Sequence, residues 1–199
     1  MILIYLQKAI ILGSVIAGTG NANVSSLSGS ILDGGDTYRD IKASGLRMDA
    51  SIAIGDLQSA KPLDIDVDRV TPKAGSGGIG LFEDDNIDIS DVIVTVNVVN
   101  PDNTIRPESI ARQSDLITRQ NGAIVLTTKD GTITNQDGVA PGDHIGINAD
   151  GTGNILIQAQ GKGNDITFDA SIVSDQGILP FWQKTLFVKN GIYQHQVEQ

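Results

Sequence analysis

A short pattern recurs along the chain and restricts its fold more than any other feature: a glycine, two aliphatic residues at alternate positions, a polar turn, then a second short aliphatic strand. It appears at Gly78-Ile-Gly-Leu81, with a turn through Glu83-Asp84-Asp85 and then Ile87-Asp-Ile89. It returns at Gly122-Ala-Ile124-Val-Leu126, turning through Lys129-Asp130-Gly131 to Ile133, and again at Gly153-Asn-Ile155-Leu-Ile157, turning through Gly161-Lys-Gly-Asn164 to Ile166-Thr-Phe168. Period-two alternation places Ile79 with Leu81, Ile124 with Leu126 and Ile155 with Ile157 on one strand face, which must be buried. The intervals between copies are too uneven for a hairpin ladder, and a lone short strand is unstable in water. Stacking equivalent strands from successive coils buries a continuous aliphatic column instead, with each inward Ile or Leu contributing roughly 1.5–3 kcal/mol.

The same grammar runs earlier with looser spacing, through Val24, Ile31-Leu32, Ile41, Leu46-Arg-Met48, Ile52-Ala-Ile54 and Leu63-Asp-Ile65-Asp-Val67. Twenty-three glycines and abundant Asp, Asn, Ser and Thr punctuate the chain with turn formers and exclude long helices. Apolar residues make up 40% of the chain but aromatics only 4%, so the core is built from Ile, Val, Leu and Ala. The expected fold is all-β: a right-handed parallel β-helix over residues 1–179, followed by an atypical tail over 180–199. That tail holds half the aromatics, including the only Trp. It reads either as a cap closing the solenoid or as the product of an interrupted reading frame.

The most strand-like stretch of the chain is followed by two excursions from the repeat. Asp91 to Val99, with Val92, Val94, Val96 and Val98 on one face and Ile93 and Val99 on the other, predicts an edge strand covered by a loop. Asn100 to Leu116 predicts a projecting loop or short helical turn, because Pro101 and Pro107 lack the ladder donor. Asp137 to Asp143 is a second such loop. Near the start, the apolar run from Ala9 to Ala17 and the following Gly20-Asn-Ala22 loosely resemble a signal peptide. Lys8 lies behind seven residues and Gly13-Ser14 break the run, which favours two short strands and a turn.

A net charge of −10 disfavours nucleic acid and anionic membrane surfaces as partners. No segment is long and apolar enough to insert in a membrane as a helix. With no cysteine, the chain has no disulfide, thiolate nucleophile or Cys-ligated zinc. Asp33-Gly-Gly-Asp36 and Gly75-Ser-Gly-Gly78 are coil corners, since no Gly-Lys-Ser/Thr and no helix follows to cradle phosphate. His144 and His195 have no second His or Cys at ligand spacing.

The remaining site candidates are carboxylates. Glu83, Asp84, Asp85 and Asp88, with Asp91 nearby, offer oxygens of the kind calcium takes, or else form a solvated turn. Gly161-Lys-Gly-Asn-Asp165 looks like half of a calcium-binding nonapeptide, but a single copy lacks the stacked partner such a site requires. Asp64, Asp66 and Asp68 alternate on one strand face beside Arg69, the residue types a glycan-cleaving site needs. The inward Leu63, Ile65 and Val67 make this a solvent-facing strand, and the sequence shows no aromatic platform for sugar rings beside it.

Several phrases together carry a family resemblance: Gly29-Ser-Ile-Leu-Asp-Gly-Gly-Asp36, Gly45-Leu-Arg-Met48, Ile52-Ala-Ile-Gly55, Pro62-Leu-Asp64, Ser76-Gly-Gly-Ile79 and Asp150-Gly-Thr-Gly-Asn-Ile-Leu-Ile-Gln-Ala159. They resemble the repeats of giant bacterial surface adhesins of the filamentous-haemagglutinin-like kind, over roughly residues 9–179. The resemblance implies export to the cell surface and a non-enzymatic structural or adhesive role in attachment, biofilm or a stalk. It also implies a partner such as a glycan or protein on a host or neighbouring cell, engaged through a longer parent; the residues themselves point to no catalytic group and to no cofactor beyond a candidate calcium ion. The alternatives are a β-helical polysaccharide lyase or hydrolase and a calcium-stabilised extracellular repeat.

Overall fold

In the computed structural model, residues 1–139 and 142–177 and the backbone of the strand Leu186–Val188 are described. Among them there is no helix; 18 strands form one sheet and two form a separate hairpin. Every pairing between named strands of the large sheet is parallel, and eight of its strands curl through 279° round an axis. This is a parallel β-helix, as the repeat requires.

The strands fall into three stacks. The first runs through Ile2–Leu6, Asn21–Ser26, Ile41–Ala50, Leu63–Ala74, Leu116–Thr118, Ile145–Ala149 and Ser171–Ser174. The second is Ile10–Leu12, Ile31–Asp33, Ala53–Ile54, Gly78–Glu83, Ile124–Thr128 and Ile155–Gln158. The third is Ile87–Ile89, Ile133–Asn135, Ile166–Phe168 and Leu186–Val188. Ile41–Ala50 and Leu63–Ala74 are long enough to serve more than one column: Val15 stacks through Ile41 and Ile65 onto Glu83, and Ile87–Ile89 rests on Arg69 and Val70.

Stacking fixes the core. Ile10, Ile31, Ile54, Ile79, Ile124 and Ile155 lie directly above one another, each at most 7% exposed. Beside them Leu81, Leu126 and Ile157 make a second column, and Ile87, Ile133 and Ile166 a third. The three copies of the glycine-led pattern are therefore superimposed in register. A β-branched side chain suits this geometry, because identical residues on successive rungs interdigitate without changing rotamer. Gly78 opens its strand at φ 81°, a conformation that glycine adopts without steric cost.

The run Ala9 to Ala17 forms the strands Ile10–Leu12 and Val15–Ile16, each hydrogen-bonded to the next coil. The two excursions come out differently. Val92–Val99 is a strand, but one arm of an antiparallel hairpin with Ile105–Gln113, where a loop or helical turn was expected. Pro107 is tolerated there, facing Asn97, because a two-stranded hairpin has a free edge. Only Val92 and Val94 of the valine face are buried; Val99 is 61% exposed. The hairpin is anchored to the first stack by Asn21, whose Nδ2 donates to the Ile93 carbonyl (2.8 Å), and by Gln113, whose Nε2 donates to the carbonyls of Met48 (2.8 Å) and Thr71 (2.6 Å). Gly45 lets the hairpin approach, since a Cβ there would crowd Asn21 and Val92. The segment 137–144 carries no strand among its described residues. The expected cap, apart from the strand Leu186–Val188 lying parallel to Ile166–Phe168, falls outside the described residues.

Candidate functional site

The acidic turn after Gly78–Glu83 divides between the inside and the outside of the solenoid. Glu83 continues the inward alternation of Ile79 and Leu81 and is fully buried, stacked between Ile65 and Thr128. Its carboxylate accepts the backbone N–H groups of Val67 (3.2 Å), Asp84 (2.9 Å) and Asp85 (3.4 Å), with no cation against it in the described structure. Burial pushes this carboxyl up to about 8, against the three backbone donors that pull it down.

Asp84 points the other way. Lys129 Nζ lies 3.0 Å away and the Arg39 guanidinium contacts its other oxygen, and the two cations hold it below the usual carboxylate range. Asp85 is raised by partial burial and by Asp66, Asp84 and Asp68. Asp88 sits outward between inward Ile87 and Ile89, level with Arg69 and Thr134. The four acids thus do not share a centre, and among the described residues no three His, Cys, Asp or Glu side chains group so as to hold a metal ion.

Asp64, Asp66 and Asp68 face outward, as their alternation with buried Leu63, Ile65 and Val67 predicts. Asp66 accepts from Lys42 (2.6 Å) and pairs with Arg39 (3.3 Å), and Asp68 accepts from Ser44 (2.8 Å). Asp64 is raised by desolvation and by the charges of Asp33 and Asp36, and its N–H donates to Asp40 Oδ2 (2.9 Å). Asp40 is buried, one oxygen lacks a partner, and desolvation pushes it to about 7.

Of these carboxylates, Asp64 and Asp84 line an open groove of about 460 Å³ whose walls also include Tyr38, Arg39, Phe82 and Lys129. The expectation that no aromatic accompanies the alternating aspartates is corrected here. Phe82 lies directly over Asp64 in register, and Tyr38 stands at the corner leading into the rung below. Sequence reasoning missed the pair because Tyr38, Asp64 and Phe82 come from three different coils, and only stacking brings them together.

A second depression, of about 380 Å³, lies between the first stack and the hairpin, with Tyr5, Asn23, Arg47, Asp49, Ile110 and Arg119 among its lining. Arg47 donates to Asn23 Oδ1 (2.6 Å), its Nε is buried without a partner, and desolvation lowers it; Lys73 is lowered for the same reason. Asp115, near the foot of the hairpin, is raised by burial to about 6. His144 is exposed beside Asp137 (3.2 Å), and His195 lies outside the described residues. In the Gly161–Asn164 turn, Gly161 and Gly163 take positive φ and Asn164 Nδ2 donates to Asp130 Oδ1 (2.8 Å), which is the geometry of a corner.

Comparison with family models, with curated proteins and with solved structures finds no match to this chain.

Proposed function

We propose that the chain is a non-enzymatic structural and adhesive segment of an exported bacterial repeat protein, held at the cell surface as a stiff stalk or display element. The observation that carries this reading is the uninterrupted column of six isoleucines through successive coils. Each coil is held by its neighbours alone, so the core is linear and the outward side chains are free to serve recognition. The resemblance of the glycine-led phrases to haemagglutinin-like repeats points the same way. A chain without cysteine needs no oxidative step to fold, which is compatible with export.

The arrangement of the carboxylates also favours a binding role over catalysis. Glu83 and Asp40 are turned into the solenoid, and Asp84 is held by two cations, which leaves it a poor general acid or base. Antibody raised against the purified chain should label intact cells of the source organism, and beads coated with the chain should adhere to neighbouring or host cells. Labelling that appears only after the cells are permeabilised, or beads that do not adhere, would overturn the reading.

A further inference from the structure

We propose that the groove between Tyr38 and Phe82 binds a neutral oligosaccharide laid along the solenoid axis. Its wall residues come from successive coils. Tyr38 and Arg39 precede the rung of Ile41, Asp64 lies on the next, Phe82 and Asp84 on the next, and Lys129 on the one after, where its N–H donates to the Glu83 carbonyl (2.7 Å). Rungs about 4.8 Å apart give a track of about 14 Å, the proportions of a short linear chain.

The chemistry along the track is that of a sugar site: apolar faces with a few fixed polar groups between them. Tyr38 is 75% exposed, yet its backbone is pinned by the Tyr38 N–H donating to Asp36 Oδ1 (2.7 Å). An aromatic ring left open on an ordered corner is a ready platform for the C–H face of a pyranose, with Phe82 continuing the apolar surface. Beside them stand donors (Arg39, Lys129) and acceptors (Asp64, Asp84), matching vicinal hydroxyls that both give and take hydrogen bonds. The ion pairs linking Arg39 to Asp84 and Asp66, and Lys129 to Asp84, fix those heads before any ligand arrives, which reduces the ordering cost of binding. Positive and negative groups balance in this groove although the whole chain carries −10, so a polyanion gains nothing there and a neutral chain loses nothing.

The inference deepens the adhesive reading and rests on it only for where the glycan comes from. Sugar binding by the purified chain and labelling of intact cells can each fail without the other. The test is calorimetric titration of the full chain with soluble cello-, malto- and chito-oligosaccharides. At least one series should saturate; Tyr38→Ala should weaken it by about tenfold or more, and Tyr38→Phe by no more than about twofold. Both variants should melt with the wild type, since Tyr38 is exposed. Failure of all the series to saturate, an unchanged affinity in Tyr38→Ala, or release of new reducing ends would each overturn the proposal.

Discussion

Glu83→Gln should change the sign of its effect on stability across the pH range. In the folded chain the Glu83 carboxyl titrates near 8, whereas its ordinary value is 4.5. Between those values the unfolded chain is ionised and the folded chain keeps its proton, so raising the pH favours unfolding. The slope approaches 1.4 kcal/mol per pH unit, and the whole span is bounded by about 5 kcal/mol. Glutamine has no charge to desolvate and keeps an Oε1 to accept from Val67, Asp84 and Asp85. Near pH 5, where wild-type Glu83 is protonated in the fold, the variant should match the wild type or fall slightly below it. Near pH 9 it should be the more stable by on the order of 2–3 kcal/mol. Asp40 and Asp115 also lose stabilising protonation as pH rises toward their raised values, about 7 and about 6, but they titrate alike in both proteins and cancel in the difference. Urea denaturation of both proteins over a pH series reads the gap directly. A gap that stays constant with pH, or one that favours the variant in acid, would refute the upward shift that burial imposes on this carboxyl.

Other consequences follow from the packing. Ile79→Ala, in the middle of the isoleucine column and fully buried, should cost about 2–5 kcal/mol in urea unfolding, whereas the same change at Ile11, 70% exposed, should cost under about 1 kcal/mol. Gln113→Ala leaves the Met48 and Thr71 carbonyls without their donor and should cost about 1–3 kcal/mol while the β-sheet circular dichroism is retained. Calcium or a chelator should leave the melting temperature unchanged, because Glu83 is turned inward and Asp84 is neutralised by Arg39 and Lys129; a rise with calcium that a chelator reverses would point to a shared cation site.

Much of the fold can be read from the residues themselves. Ile79, Ile124 and Ile155 announce their strands, their inward face and their mutual equivalence, and the structure stacks them in that register. The reading of 91–116 goes only halfway, because alternating valines specify a strand but not its partner. Antiparallel pairing there is decided by the turn between Val99 and Ile105, which brings a proline-bearing segment of low strand propensity alongside. Glu83 was legible in principle, since period two places it with Ile79 and Leu81, but the acidic turn composition around it argues for solvent. The groove was not legible. Tyr38, Asp64 and Phe82 become neighbours only once the lengths of the intervening corners set the register, and corner lengths in this chain are irregular.

Residues far apart in sequence pile up rung on rung in parallel register, and a chain without cysteine permits a direct measurement of that stacking. Outward, directly stacked pairs replaced by cysteine, Ile11 with Leu32, Asp88 with Thr134 and Val125 with Leu156, should oxidise readily to disulfides within a folded monomer. Asp88 paired with inward Ile133 should not. Efficient closure of the in-register pairs alone is the result predicted here; failure of all three, with cross-links instead between strands adjacent in sequence, would contradict the solenoid.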